Sequence, residues 1–259
     1  MNKPIKKHEP QLKIKRATFT AVVMSVGAVV IYFLAQILAV LVVSIIGFAS
    51  GMTADRIETW FATTTGQFMT YLLVAVVGLW LIKKLISRLG IGRRSLGLVR
   101  PKLIDPLLAL AGYGWYLPAL YASSSIISMI LPSVDFGQRQ QLGFDTSTSG
   151  VELLMIGVAL VLVPAVYEEI LCRGLLFTGL RKRFSLWPAA VITSVLFAVA
   201  HLQWSSAAPL LWAAAFDTFL LSMILVYMRE KTGSLWPGIG LHAIKNGVAF
   251  MLLFVFKIG

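Results

Sequence analysis

Long apolar stretches separated by short polar segments are the dominant pattern of this chain of 259 residues. A helix that crosses a bilayer needs about 20 predominantly apolar residues. Stretches of this kind recur along the whole chain and predict about seven spanning helices, of which the fifth is short. Their predicted ranges are 17–48, 67–82, 103–131, 151–180, 188–202, 209–228 and 237–256. The pattern therefore predicts an all-α fold, a polytopic transmembrane helical bundle.

Lysine and arginine residues are concentrated in alternate polar segments, and such segments are retained on the cytoplasmic side of a membrane. With the N-terminus inside, the inner segments hold Lys3, Lys6, Lys7, Lys13, Lys15, Arg16, Lys83, Lys84, Arg88, Arg93, Arg94, Arg100, Lys102, Arg181, Lys182, Arg183, Arg229 and Lys231. The outer segments hold only Arg56, Arg139 and Lys257. This asymmetry agrees with the helix count. It predicts a cytoplasmic N-terminus, a cytoplasmic basic loop at 83–102 and an external polar loop at 134–150.

Composition and charge support a membrane protein and argue against a nucleic-acid-binding one. Hydrophobic residues make up 58% of the chain and charged residues 13%, whereas a soluble domain has about 25% charged residues. The net charge of +12 does not indicate nucleic acid, because its basic residues lie between apolar runs rather than on one water-facing surface. Basic loops of this kind attract anionic lipid headgroups. We therefore expect membrane lipids as partners, no nucleic acid, and a multi-pass protein of the plasma membrane.

Residues 1–259 are expected to form a single integral membrane domain. The basic residues 1–16 precede an apolar run and so resemble a signal peptide. That run is far longer than the apolar core of a signal peptide and lacks a convincing cleavage site, so we interpret it as an uncleaved first helix. Cys172 is the only cysteine, which excludes an intramolecular disulfide.

Three polar clusters interrupt the predicted spans in the second half of the chain. They are Glu168-Glu169 with Arg173 in the fourth span, Phe197 with His201 in the fifth, and His242 with Asn246 in the seventh. Ionisable groups inside a membrane are energetically expensive and are therefore candidates for function. At about 1.5 Å of rise per residue, the polar groups lie roughly 8 to 20 Å from the inner ends of their helices, so their depths overlap. This overlap favours one site built from three helices.

Helical spacing distinguishes the two adjacent glutamates. Glu169 and Arg173 are i and i+4 neighbours and can pair, whereas Glu168 is turned about 100° from Glu169 and faces elsewhere. Each cluster also has a purely structural interpretation. Glu169 and Arg173 can be a buried ion pair that fixes packing, His201 a core histidine bonded to a backbone carbonyl, and His242 with Asn246 an interhelical polar contact.

The three motifs in this order resemble a known family. EExxxR (Glu168, Glu169, Arg173), FxxxH (Phe197, His201) and HxxxN (His242, Asn246), with the segment 232–237 leading into the last, are similar to the type II CAAX prenyl endopeptidase and bacteriocin-processing family of intramembrane proteases. The resemblance covers roughly 151–256, which would be the catalytic core. It does not extend to the divergent first helices, 17–131.

The resemblance implies a metal-independent, glutamate-dependent endopeptidase that cleaves membrane-associated peptides or lipidated proteins and needs no cofactor. Glu168 and His201 would then hold and deprotonate a water, and His242 with Asn246 would donate hydrogen bonds to the tetrahedral intermediate. Glu169 and Arg173 would orient the helix and tune Glu168. Phe197 would be a packing residue that fixes the rotamer of His201.

Other mechanisms find less support in the sequence. Two histidines and a glutamate can bind zinc, but the helical HExxH arrangement of zinc proteases is absent. A serine mechanism needs a nucleophile beside a base, and the run Ser123 to Ser125 lies in no motif. We therefore expect no bound metal.

Two noncatalytic functions remain open at this point. One is a membrane protein of the same fold that acts in bacteriocin immunity or scaffolding, because fold and motifs alone do not prove turnover. The other is a small transporter that uses the buried charges as an ion path. Asp217 in the sixth span and Lys245 in the seventh are further intramembrane charges that can pair with each other.

Overall fold

The computed structural model describes residues 8–137, 143–145, 150–202 and 210–258, with side chains described from residue 17 onward. These residues form eight helices and no strand, so the predicted all-α class is confirmed. The helices are α1 (His8–Ala49), α2 (Ala54–Ala62), α3 (Thr64–Arg88), α4 (Asp105–Ile130), α5 (Val151–Arg181), α6 (Leu186–Val199), α7 (Trp212–Thr232) and α8 (Trp236–Val255). Among the residues used above to predict spans and orientation, Lys3, Lys6, Lys7, Arg139 and Pro209 lie outside the described ranges, as does most of the predicted outer loop.

Five of the helices in the described part of the chain are long and apolar enough to cross a membrane: α1 from residue 17, α3, α5, α7 and α8. The predicted count of about seven spans is not confirmed. The helix α6 has 14 residues and is too short on its own for the hydrocarbon core, which takes about 20. The helix α4 has 26 residues, but serine, tyrosine and glycine residues lower its hydropathy below that of the other five.

Local sequence signals explain where several helices begin and end. The side chain of Thr63 accepts a hydrogen bond from the Gly66 N–H and caps α3. Pro188 and Pro237 lie in the first turns of α6 and α8, as predicted, where a missing N–H costs little. Gly233 ends α7 with a left-handed backbone, φ 66°, a conformation that glycine adopts without steric cost.

Three segments predicted to lie at the inner face meet in the structure. Arg229 at the end of α7 donates to the Ser95 carbonyl at 3.0 Å, and the Trp236 indole donates to the Val99 carbonyl at 2.7 Å. Arg181 at the end of α5 forms an ion pair of 2.7 Å with Glu230. The loops after α3, α5 and α7 therefore share one face of the bundle. This agrees with the predicted order of loops, while the side of the membrane on which the face lies remains a prediction.

The opposite ends of the helices form a second face. Gln67 near the start of α3 donates to the Gly143 carbonyl at 2.6 Å. Phe144 packs in a cluster that also holds Ile156 of α5 and Phe254 of α8. Phe136, beyond the end of α4, contacts Phe216 near the start of α7. The helix α4 thus runs from one face of the bundle to the other in spite of its lower hydropathy.

The helix α5 lies at the centre of the bundle and departs from regular α geometry twice. Residues Val158–Leu162 and Glu169–Leu176 are π-helical, a form that is rare and frequent at functional sites. Every residue of the second π segment is buried. The helices α1 and α3 pack against α5 from one side and α8 packs against its first half. The candidate site residues on α5 are therefore enclosed by helices from both halves of the chain.

Candidate active site

Glu169 and Arg173 form the ion pair that their spacing predicts. Arg173 Nη1 lies 2.7 Å from Glu169 Oε1, and the two side chains are 0% and 1% exposed. The guanidinium carbon of Arg173 also lies 4.4 Å from the centre of the Phe197 ring, within the range of a cation–π contact. In the described part of the chain, Arg173 Nε and Nη2 have no hydrogen-bond acceptor. The two residues thus form a buried ion pair on α5 that packs against Phe197 of α6.

His242 of α8 lies between the two adjacent glutamates. Its Nδ1 is 3.1 Å from Glu169 Oε1, and its Nε2 is 3.9 Å from Glu168 Oε2. The first distance fits a hydrogen bond, whereas the second is too long for one. Because a carboxylate only accepts, Nδ1 is the protonated nitrogen in this contact. His242 is therefore anchored on Glu169 and turns its other nitrogen toward Glu168.

Glu168 and Glu169 have different surroundings although they are neighbours in sequence. The side chain of Glu169 is 1% exposed and that of Glu168 is 21% exposed. Oε2 of each glutamate is buried and has no hydrogen-bond partner among the described residues. Glu169 is thus paired with Arg173 and His242 through Oε1, while Glu168 has no such close partner and is the more exposed carboxylate.

His201 lies in the turn after α6 rather than within the helix, which ends at Val199. The sequence placed it inside the fifth span, so that boundary was wrong by about one turn. Its Nδ1 is 2.8 Å from the Phe197 carbonyl oxygen. This is the contact of a core histidine, and it also fixes the ring, because Nδ1–H donation leaves Nε2 of a neutral imidazole as an acceptor.

Phe197 contacts three of the polar site residues. Its ring centre lies 4.7 Å from that of His201 and 6.1 Å from that of His242, both in edge-to-face geometry, in addition to the Arg173 contact. The side chain is buried. Phe197 therefore packs between the residues of the three motifs, and its position is consistent with the packing role that the sequence assigned to it.

Asn246 makes an interhelical contact one turn beyond His242. Its side-chain amide nitrogen donates to the Leu160 carbonyl oxygen of α5 at 3.0 Å. A side-chain amide carries two N–H donors, so this contact leaves a second donor for another acceptor.

Asp217 of α7 and Lys245 of α8 pair, as the sequence allowed. Lys245 Nζ lies 3.0 Å from Asp217 Oδ2, and both side chains are 24% exposed. The hydroxyl of Tyr116 in α4 donates to Asp217 Oδ1. Tyr116 was missed by sequence reasoning, because a tyrosine in an apolar helix gives no signal of its polar partner. The cluster joins three helices close to the HxxxN motif.

Gly238 is a second residue that the sequence did not single out. A Cβ atom at this position would lie 3.1 Å from Glu169 Oε2, closer than most carbon contacts in folded proteins. The absence of a side chain thus lets the first turn of α8 approach the buried carboxylate. A glycine inside a helix, where it costs about 1 kcal/mol relative to alanine, was the available signal.

Among the described side chains, no group of three or more histidine, cysteine, aspartate or glutamate residues is arranged to hold a metal ion. That activity needs no metal remains a prediction, which a cleavage assay with a chelator tests.

Comparison with known proteins gives one match. Residues 150–248 match a family model described as "Type II CAAX prenyl endopeptidase Rce1-like". No curated protein and no solved structure matches the chain. The matched segment contains all three motifs, and the first four helices lie outside it.

Proposed function

We propose that this chain, whose residues 150–248 match the type II CAAX prenyl endopeptidase family model, is a protease of that family and cleaves peptide bonds in the membrane with Glu168 as its general base. The family is one of proteases, and the five apolar helices make the chain an integral membrane protein. The observation that carries the proposal is the unequal environment of the two glutamates. Glu169 is held by Arg173 and His242 and is 1% exposed, while Glu168 lies no nearer than 3.9 Å to a cationic group among the described residues and is 21% exposed.

Glu168 and His201 are the groups suited to activate a water. Peptide hydrolysis needs a base for the attacking water and donors for the developing oxyanion. Glu168 takes a proton from the water as the water oxygen bonds to the scissile carbonyl carbon. The proton then passes to the amide nitrogen as the carbon–nitrogen bond breaks. His201 Nε2, left as an acceptor by the Phe197 contact, helps to orient the same water.

His242 and Asn246 are the proposed donors to the tetrahedral intermediate. Nδ1 of His242 already donates to Glu169, so Nε2 donates only when the imidazole carries both protons. The developing oxyanion balances that charge, because the carboxylate of Glu169 is already paired with Arg173. Asn246 contributes the amide N–H that its contact with Leu160 leaves free. Glu169 and Arg173 thereby act through His242 rather than on the substrate.

A groove between α4 and α7 is suited to bind the hydrocarbon chain of a lipidated substrate. Its volume is about 580 Å³, and its lining is largely apolar, with Leu108, Trp115, Ile224 and Tyr227 among its residues. Gly112 forms part of its wall, and a Cβ there would meet Leu241, the residue before His242. A hydrocarbon chain in this groove would hold an attached peptide close to α8.

The test is cleavage of lipidated peptides by the purified protein in detergent, with products identified by mass spectrometry. We expect site-specific cleavage that persists with a strong chelator present and disappears in Glu168→Gln. Glu152→Gln, a change to an exposed glutamate of the same helix, is the matched control and should cleave normally. Equal product from Glu168→Gln would contradict the proposal, as would loss with chelator that zinc alone restores.

The pair of Asp217 and Lys245 is the observation that favours the transporter as a second candidate, since charges inside spans often mark ion paths. Ion flux into vesicles that contain the protein would support it. Flux that Lys245→Met abolishes, with no cleavage by the wild type, would replace the protease with the transporter.

A further inference from the structure

The carbonyl of Leu160 in α5 has lost its ordinary helical donor. In an α-helix the carbonyl of residue i accepts from the N–H of residue i+4. For Leu160 that residue is Pro164, which has no N–H. The preceding turn is π-helical, with the Val163 N–H bonded to the Val158 carbonyl. The sequence therefore withholds the i+4 donor from a backbone acceptor in the helix that carries Glu168.

Asn246 occupies that acceptor from the neighbouring helix. Its amide nitrogen lies 3.0 Å from the Leu160 oxygen. The two helices are packed closely around this contact. A Cβ on Gly157 would lie 3.2 Å from the Phe250 ring. The hydrogen bond is thus part of an extended contact between α5 and α8.

The contact lies next to the proposed reaction centre on both helices. Glu168 follows Pro164 by four residues, about one turn of α5, and His242 precedes Asn246 by one turn of α8. The hydrogen bond between Leu160 and Asn246 therefore also limits how far α5 and α8 can separate or shift along each other, and with them Glu168 and His242. The bond of His242 to Glu169 alone constrains only the first turns of α8.

We propose that Pro164 is a positioning residue that acts through Asn246. By withholding an N–H from the Leu160 carbonyl, it reserves that carbonyl for the Asn246 amide. One N–H of the amide is then held by the backbone, and the other is presented at a fixed angle to the oxyanion. The role of the second N–H rests on the proposed function, whereas the bond to Leu160 does not.

Thermal unfolding of six proteins tests the bond without any assay of activity. Asn246→Ala strands the Leu160 carbonyl and should lower Tm by roughly 2–6 °C. Pro164→Ala supplies an N–H at residue 164, so Asn246→Ala should cost little further Tm in that background. Pro118→Ala, a change to the proline inside α4, is the matched control, and in its background the full loss should persist. The same loss in the wild-type and Pro164→Ala backgrounds would overturn the proposal.

Kinetics test the positioning step. Pro164→Ala should lower kcat about tenfold while KM stays within about twofold, because transition-state contacts and not substrate binding are disturbed. In an Asn246→Ala background, Pro164→Ala should lower kcat no further. Full kcat in Pro164→Ala would overturn the positioning role. If the wild type cleaves nothing, the proposed function fails. The unfolding experiment still tests whether Asn246 and the Leu160 carbonyl form the hydrogen bond.

A second variant covers the case in which Pro164→Ala does not fold. Asn246→Asp keeps the size of the side chain but, when ionised, has no donor and directs an acceptor at the Leu160 oxygen. It should lower Tm at least as much as Asn246→Ala. Wild-type Tm in Asn246→Asp would overturn the proposal.

Discussion

At the scale of single residues, the neighbouring carboxylates differ in what surrounds them. Glu169 contacts a guanidinium and an imidazole and is 1% exposed, whereas Glu168 is 21% exposed and lies 3.9 Å from the nearer nitrogen of His242. Helical phase predicted this division, because only Glu169 shares a face with Arg173. The contact of His242 with Glu169 was not predictable, since it depends on how α8 packs on α5.

Glu168→Gln should remove activity and leave stability nearly unchanged. The substitution removes the base and strands no opposite charge, so Tm should stay near that of the wild type. Cleavage should fall by about 10² or more, as loss of a general base usually causes. Tm in detergent and kcat on a cleaved peptide are the measurements. Wild-type kcat in this variant would show that another group is the base.

Glu169→Gln should harm folding as well as activity. It leaves Arg173 as a buried cation without its partner, which typically costs about 3–5 kcal/mol. Glu169→Gln with Arg173→Met should recover part of that stability, because no unpaired charge remains. Unfolding of both proteins in detergent is the measurement. If Glu169→Gln proves stable and inactive while Glu168→Gln keeps full activity, the roles of the two carboxylates are reversed.

At the scale of helices, apolar runs and proline positions predicted most of the elements. The predicted starts at residues 188 and 237 agree with α6 and α8 to within one or two residues. The π segments of α5 were not predicted, because the spacing of apolar residues carries no signal for a change from α to π geometry. The end of α6 before His201 likewise has no glycine or proline to mark it.

Gly238→Ala should disturb the approach of α8 to Glu169. The added Cβ would lie 3.1 Å from Glu169 Oε2, so the carboxylate or the helix must shift, and both Tm and kcat should fall. The matched control is Gly247→Ala in the same helix, where the new Cβ would make an ordinary contact of 3.7 Å with Val161. That control should be neutral or slightly stabilising, because alanine favours helix. Equal effects of the two substitutions would contradict the expected crowding at Glu169.

The cluster of Asp217, Lys245 and Tyr116 should couple α4, α7 and α8. Lys245→Met leaves the Asp217 carboxylate without its cation, and Asp217→Asn leaves the ammonium without its anion. The double variant should lose less stability than the sum of the two single losses. The difference, the coupling energy, should be about 0.5–3 kcal/mol. Unfolding of the four proteins of this cycle is the measurement. Additive losses would show that the pair contributes no net interaction.

At the scale of the whole molecule, the alternation of basic and neutral loops agrees with the two faces of the bundle. The loops after α3, α5 and α7 meet through Arg229, Trp236 and the pair of Arg181 and Glu230. The sequence predicted this grouping from charge alone. It did not settle the number of membrane spans, because α4 and α6 are intermediate in hydropathy or length.

Introduced cysteines should report the predicted orientation in intact cells. Ser95→Cys, in the basic loop, should react only after the cytoplasmic side is opened to the reagent, and Ser133→Cys should react from outside. Both serines are exposed, and the native Cys172 is buried and serves as the background control. The reverse pattern of labelling would place the N-terminus and the basic loop outside.

The position of Phe197 has a consequence for spectroscopy. Electrons circulating in an aromatic ring shift the magnetic resonances of nearby protons according to their distance and angle from the ring. The imidazoles of His201 and His242 stand 4.7 and 6.1 Å from this ring, at interplanar angles of 63° and 84°. Their proton signals should therefore carry ring-current shifts that vanish in Phe197→Leu. The ring thus provides a reporter of site geometry that needs no substrate, label or turnover.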